Sequence, residues 1–253
     1  PIDFTPQPGA AARVWHGRAS DPDELRDFAA AAHLAGGRLA ALWGSDCRAD
    51  GKGFRLDCVF GLNAGHAWVR LDLPADAPVY PDLADIFPAA NRLQRATRDL
   101  VGIATTGGDQ RPWLRHGAWP ADWYPLRHDA GDHSGFANAP SDYAFVPVGG
   151  EGAHEIPVGP IHAGIIEPGH FRFSVIGERV LRLEQRLGYQ HRGVEQRCLG
   201  ADIATGARLV GRVSGDSTCA FAWAYAAAIE AACGAEPSPR ALAPMRDGRS
   251  APD

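Results

Sequence analysis

Three runs, Arg38 to Trp43, Phe54 to Gly61 and His66 to Leu73, alternate partly between apolar and polar residues and are separated by Asp/Gly or Asn-Ala-Gly turns. A period near two puts successive side chains on opposite faces of a strand. The runs therefore predict an antiparallel meander, with Leu56, Val59, Trp68, Val69 and Leu71 as core candidates. Upstream, Asp21-Pro22-Asp23-Glu24 carries a capping aspartate, a proline at the first helical position and acidic residues facing the positive helix end, so a helix is expected from here to about His33. Gly36-Gly37 stops it. A second helix is predicted from Pro88 to Gly102, and on it Arg95 and Asp99 stand one turn apart and are expected to pair on the exposed side.

From Asp129 to Glu155 the chain is rich in Gly, Asp, Pro and Ser and has no helical periodicity, which marks a linker. Beyond it, Phe171 to Ile176 and Arg179 to Leu187 read as two strands of a hairpin joined by Gly177-Glu178. Ser217 to Cys233 is an alanine-rich helix carrying Phe221, Trp223 and Tyr225, and its apolar character on all sides predicts burial between neighbours.

A length of 253 residues and an apolar fraction of 45% suffice for two modest domains with real cores. The formal charge of -5, with acids and bases interspersed, gives no basic footprint for nucleic acid or an anionic membrane. Cys47, Cys58, Cys198, Cys219 and Cys233 are scattered, without the Cys-x-x-Cys spacing of a zinc or iron-sulfur site, and read as reduced thiols. No basic leader precedes an apolar run at the N-terminus, and the apolar run from Ala220 to Cys233 is too short to span a bilayer. The chain is expected to be soluble and to meet a membrane only through partners.

The most informative stretch is Gly159-Pro-Ile-His162-Ala-Gly-Ile-Ile-Glu167-Pro-Gly-His170-Phe-Arg-Phe173, followed by Leu181 to Leu187 and then Tyr189-Gln-His191-Arg192-Gly-Val-Glu195. It resembles the start of the large subunits of membrane-bound (group 4, energy-converting) nickel-iron hydrogenases and of the homologous D subunit of respiratory complex I. Ahead of it, Phe87 to Ile103, with Asp99-Leu-Val-Gly102-Ile103, and then Trp119 to Asp129, with Pro125-Leu-Arg127-His-Asp129, resemble the signature of the complex I C subunit. Gln94 and Ala96 replace the glutamates usual in that helix, so the C-like part is divergent.

The order of the two motifs implies a fusion. The expected fold class is α+β: a small C-subunit-like α+β domain at 1–129, a linker at 130–155, the N-terminal part (β-hairpin plus helices) of a hydrogenase large-subunit-like domain at 156–242, and a disordered tail at 243–253. Large subunits of the family continue well beyond this length, so apolar surface awaiting a partner is expected on the second domain.

The resemblance departs from its pattern where the family holds metal. The first ligand motif has the form Arg-x-Cys-Gly-x-Cys-x-x-x-His, whereas this chain reads Arg212-Val-Ser214-Gly-Asp-Ser217-Thr-Cys219-Ala-Phe221. Neutral hydroxyls are poor substitutes for thiolates, so a nickel-iron centre is not expected. Complex I D subunits also place a quinone-head histidine at the position of Ile166 and a tyrosine at that of Gly215.

What the resemblance implies is a subunit of a membrane oxidoreductase that couples electron transfer to ion transport and is inactive alone. Its partners would be an iron-sulfur small subunit and antiporter-like membrane subunits, with no nucleic acid, on the cytoplasmic face of the plasma membrane. No cofactor would be bound directly: an iron-sulfur cluster belongs to the partner, and NAD or quinone enters only through the complex. Glu167 would serve proton transfer, Arg192 would lie beside the partner's cluster, and Glu195, His162, His170 and His191 complete the candidate set. The alternative is a silent assembly subunit.

Two further patterns are weighed and set aside. Gly215-Asp216-Ser217 resembles an esterase nucleophile block, with His162 or His170 as an imagined base, but no Asp-x-x-His partner follows. His154, His162 and His170 recur at eight-residue spacings that fit neither a helical pair nor a common zinc pattern.

Overall fold

The computed structural model describes residues 2–7, 13–115, 119–131, 136, 143–236 and 238. Its first layer is a five-stranded sheet built from β1 (Thr5–Pro6), β2 (Val14–Ala19), β3 (Arg38–Asp46), β4 (Phe54–Leu62) and β5 (Gly65–Leu73), in the order β1-β2-β5-β4-β3. β3, β4 and β5 form the antiparallel meander that the alternation predicts. β2 adds to β5 in parallel, from Val14 opposite His66 to Ala19 opposite Leu71. A parallel neighbour needs a crossover, and α1 (Pro22–Leu34) supplies it. Asp21 caps this helix by accepting the Glu24 backbone N–H at 2.8 Å, and the Ser20 backbone N–H returns to the Glu24 carboxylate at 2.7 Å.

One face of the sheet is the core. Phe54, Leu56, Cys58 and Phe60 of β4 and Val69 and Leu71 of β5 are buried together with Leu25, Tyr80, Leu83, Val101 and Ile103. Of the predicted core positions, Val59 and Trp68 point to the opposite face and are half-buried. There Trp68 donates its indole N–H at 2.8 Å to Asp57, a fully buried carboxylate that also meets Arg55 and Arg70.

Between β6 (Val79–Pro81) and β7 (Ala104–Thr106), a parallel pair, lies α2 (Ala90–Val101), which packs on β3. Pro88 and Ala89 form a turn before it, so the helix starts two residues later than the proline suggests. Arg95 and Asp99 are not an exposed pair. Both are buried, at 6% and 4% exposure, and each turns to backbone instead. Asp99 accepts the backbone N–H groups of Trp113, Leu114 and Arg115 at 2.7, 2.7 and 3.0 Å. Arg95 donates to the carbonyls of Arg111 and Pro112, both at 2.7 Å.

The two halves of the C-like signature touch each other. Gly102 ends α2 in the left-handed region (φ +83°), and a side chain there would overlap the Arg127 guanidinium. Arg127 stacks 4.0 Å over the Tyr124 ring and donates to the Val101 carbonyl at 2.6 Å, while the Leu126 N–H bonds to Leu100 O at 3.0 Å. Asp46 pins the same segment from the sheet, accepting from Arg48 and from the His128 N–H. Burial pushes the Asp46 carboxyl up, but those bonds outweigh it and hold the group well below the usual carboxylate range.

The second layer is a three-stranded antiparallel sheet, β8 (Ala153–Val158), β9 (His170–Ile176) and β10 (Arg179–Arg186), in the order β10-β9-β8. β9 and β10 are the expected hairpin, with a bulge between Val180 and Arg182. β8 begins at Ala153, inside the stretch read as linker, and pairs with β9 from Ala153 opposite Ile176. α3 (Val194–Cys198), α4 (Ile203–Val210) and α5 (Thr218–Cys233) follow.

Burial in α5 does not occur. None of its residues is buried among the described residues, and Phe221 and Trp223 are 39% and 45% exposed. The sheet shows the same on one face, where Ile156, Val158, Leu181 and Leu183 are exposed. Among the described residues Val175 is the one buried apolar side chain beyond Ile103. The predicted tail at 243–253 lies outside the described residues.

Candidate functional site

Arginines join the two layers. Arg111 pairs with Asp109 at 2.6 Å on one side and with Glu184 of β10 on the other. Glu184 also accepts the Val146 N–H at 2.7 Å and Arg182 at 3.1 Å. Arg186 donates to the carbonyls of Trp113 and Arg115, the same turn that Asp99 gathers through its N–H groups. The Arg111 guanidinium holds the Asp109 carboxyl down at about 2. Burial raises the Glu184 carboxyl, but Arg111, the Val146 N–H and Arg182 together bring it below its ordinary value. A seam of buried charges with satisfied partners keeps a fixed geometry.

That geometry creates a cavity of about 500 Å³ between the layers. The first layer contributes Leu100, Trp119, Trp123, Pro125 and Leu126; the second contributes the polar corner His191 to Arg197. Trp119 stands edge-on to Trp123 with ring centroids 5.3 Å apart, and its other neighbour is His191 at 5.8 Å. Trp123 is fixed by its indole N–H bond to Ala130 O at 2.6 Å. Arg192, Glu195 and Arg197 supply charge to a cleft whose opposite wall is aromatic and aliphatic. His191 Nδ1 is buried without a hydrogen-bond partner among the described residues.

The fold brings four of the sequence candidates together. His191, Arg192 and Glu195 line the cavity, and Glu167 reaches Arg192 with its carboxylate 3.2 Å from the guanidinium. His162 and His170 stand apart, each with a ring nitrogen on a backbone carbonyl. Trp119 and Trp123 are wall residues that the sequence marks only as part of a motif. Their signal was the aromatic cluster Trp119, Trp123 and Tyr124 beside Pro125.

Ser214 and Ser217 flank a short turn ahead of α5, and Phe221 lies in its first turn; none lines the cavity. Thr218 Oγ1 donates to the carbonyls of Ser214 and Gly215. Two neutral hydroxyls and a phenyl ring do not fit a nickel-iron pair, which needs thiolates. Among the described residues no group of three or more His, Cys, Asp or Glu side chains is arranged to hold a metal ion. Among the same residues no helix is long and apolar enough to cross a membrane.

Comparison with known proteins agrees with this two-layer arrangement. Residues 19–134 match the family described as the respiratory-chain NADH dehydrogenase 30 kDa subunit. The chain is 33% identical over 217 residues to formate hydrogenlyase subunit 5 of Escherichia coli, with 81% of this chain and 38% of that protein covered. It is 34% identical over 215 residues to hydrogenase-4 component G of the same organism, with the same coverage of 81% and 38%. A third relative, the C/D fusion protein of the NADH-quinone oxidoreductase of Gluconacetobacter diazotrophicus, is 30% identical over 173 residues, covering 55% of this chain and 28% of its own length. The chain thus spans well under half the length of the relatives it matches.

Proposed function

Given that this chain belongs to the family of complex I C/D proteins and group 4 hydrogenase large subunits, we propose that it acts as a subunit of a membrane-attached oxidoreductase complex, shaping the cavity beside the terminal iron-sulfur cluster of a partner. The observation that carries this reading is the cavity between the layers, where Arg192 and Glu195 face Trp119 and Trp123. The cluster, held by the small subunit, supplies one-electron transfer. A fixed guanidinium at Arg192 raises the affinity of a neighbouring cluster for an electron. Glu167, 74% exposed and paired with Arg192, is placed to exchange a proton with water. NAD or quinone reaches the complex through other subunits. Antiporter-like membrane subunits would hold the chain on the cytoplasmic face and carry the transported ion.

No nickel-iron centre forms on this chain in the proposal, which the hydroxyls at Ser214 and Ser217 support. The apolar surface exposed by β8, β10 and α5 supports a life inside a larger assembly. Purification from gently solubilised membranes, with mass spectrometry and metal analysis of the same sample, tests the reading. Co-purification of an iron-sulfur subunit and membrane subunits, with iron and without nickel, is the expected result. Recovery of the chain alone, or stoichiometric nickel, sinks it.

A second reading, a silent assembly subunit, is favoured by the replaced ligand positions Ser214, Ser217 and Phe221. Glu167→Gln and Arg192→Ala separate the two. Loss of redox-coupled transport in a fully assembled complex eliminates the silent subunit, and unchanged transport eliminates the redox role.

A further inference from the structure

The loop from Gly159 to Gly169 is closed at its neck by two imidazoles reaching across in opposite directions. His162 Nε2 lies 2.7 Å from the Gly169 carbonyl oxygen, and His170 Nδ1 lies 3.2 Å from the Gly159 carbonyl oxygen. A carbonyl oxygen only accepts, so His162 carries a proton on Nε2 and His170 carries one on Nδ1. The Gly169 N–H adds a bond to Pro160 O at 3.3 Å. Gly159 has φ +81° and no room for a side chain, because a methyl group there would overlap both the Gly169 carbonyl and the His162 ring. Inside the neck, Ala163 is held in the left-handed region at φ +54°, which a residue with a side chain adopts only when its surroundings impose it.

Glu167 rides on this loop, and its carboxylate meets Arg192 from the cavity corner at 3.2 Å. The two side chains are 74% and 50% exposed, so their attraction is screened and cannot by itself order an eleven-residue loop. We propose that His162 and His170 form a reciprocal latch that positions Glu167 against Arg192. They are positioning residues. A metal ion taking His162 Nε2 or His170 Nδ1 has to displace a carbonyl and open the neck, so the latch and a histidine metal site exclude each other. Acid does not release it, since a protonated imidazole keeps both N–H donors. The value of the Glu167–Arg192 pair in redox work rests on the function proposed above; the latch does not.

Hydrogen exchange and side-chain NMR on the full chain test it. His162→Ala and His170→Ala are each expected to speed exchange of the Ile165 and Gly169 amides about fivefold, the equivalent of one net hydrogen bond, with β9 and β10 amides unchanged. His162→Gln and His170→Asn, whose amide nitrogens can replace Nε2–H and Nδ1–H, restore slow exchange. The Glu167 carboxyl resonance moves on Arg192→Gln in the parent chain and stops responding once either alanine variant opens the neck. Unchanged exchange in both alanine variants, or the same Glu167 response with the neck open, overturns the proposal. Should the alanine variants not fold, imidazole nitrogen shifts of the parent at pH 8 decide: His162 as the Nε2–H form and His170 as the Nδ1–H form support the latch, and the Nε2–H form of His170 removes it. A transport-competent Glu167→Gln complex would defeat the functional reading and leave the latch standing.

Discussion

Asp99 gathers the turn at Trp113 to Arg115 through a single carboxylate oxygen that accepts three backbone N–H groups. Bonds to a charged acceptor contribute about 1.5–3 kcal/mol each, and neutral ones about 0.5–1.5 kcal/mol. Asp99→Asn keeps the shape and one carbonyl oxygen but loses the charge, about 1 kcal/mol per bond and about 3 kcal/mol in all. Asp99→Ala leaves three N–H groups unpaired at a site only 4% exposed, and water entering the gap limits the cost to about 4 kcal/mol. With a urea dependence of about 2 kcal/mol per M, the unfolding midpoint followed by circular dichroism falls by about 1.5 M for the asparagine variant. An exposed Arg95–Asp99 helix pair would contribute only about 0.3–0.5 kcal/mol, so the two pictures differ several-fold. A midpoint shift below about 0.3 M, close to what the exposed pair predicts at that slope, would refute the buried-anchor account.

Gly102→Ala combines a left-handed backbone with overlap onto Arg127 and is expected to cost about 3 kcal/mol in thermal unfolding. Gly149→Ala, with open space around it, should stay within about 0.5 kcal/mol of the parent. The carboxyls of Asp46, Asp109 and Glu184 sit below their ordinary values in the folded chain. A depressed folded value means that the stabilisation is full above the unfolded value near pH 4 and is lost as pH falls toward the folded one, about 2 for Asp109. Equilibrium unfolding should therefore weaken between about pH 4 and pH 2, with a shallower slope in Asp109→Asn; an identical slope removes Arg111 as the cause.

Alternation sufficed for β3, β4 and β5, because each presents one face to the core and a polar face to the other side. The Asp21 cap and the Gly102 stop were legible for the same local reason. β2 was missed: Val14 to Ala19 contains Gly17 and Arg18 and shows no clear period, since Gly17 makes room for Ile2 and Phe4 instead of adding its own bulk. Local spacing also misplaced Arg95 and Asp99. Their partners are backbone groups 14 to 17 residues away, and helix periodicity carries no information about those. The cavity was half legible: the corner from His191 to Glu195 stood out, while Trp119 and Trp123 face it only because Arg127, Gly102 and Asp46 fold their segment back. α5 was read as buried because apolar composition reports what a surface requires and not whether this chain supplies it.

The arginine seam also sets an order of events in synthesis. Every side chain of the main apolar cluster lies between Ala19 and Ile103, so that cluster is complete long before Glu184 and Arg186 leave the ribosome. Domains fold as units from the N-terminus during translation. The emerging β9–β10 hairpin thus meets a finished surface, with Arg111 and the carbonyls of Trp113 and Arg115 already in place to receive it. Captured this way, its bare apolar face is presented in one fixed orientation on a folded base, and a strand pair that is marginal alone can wait for its partner without drifting into pairing with other chains.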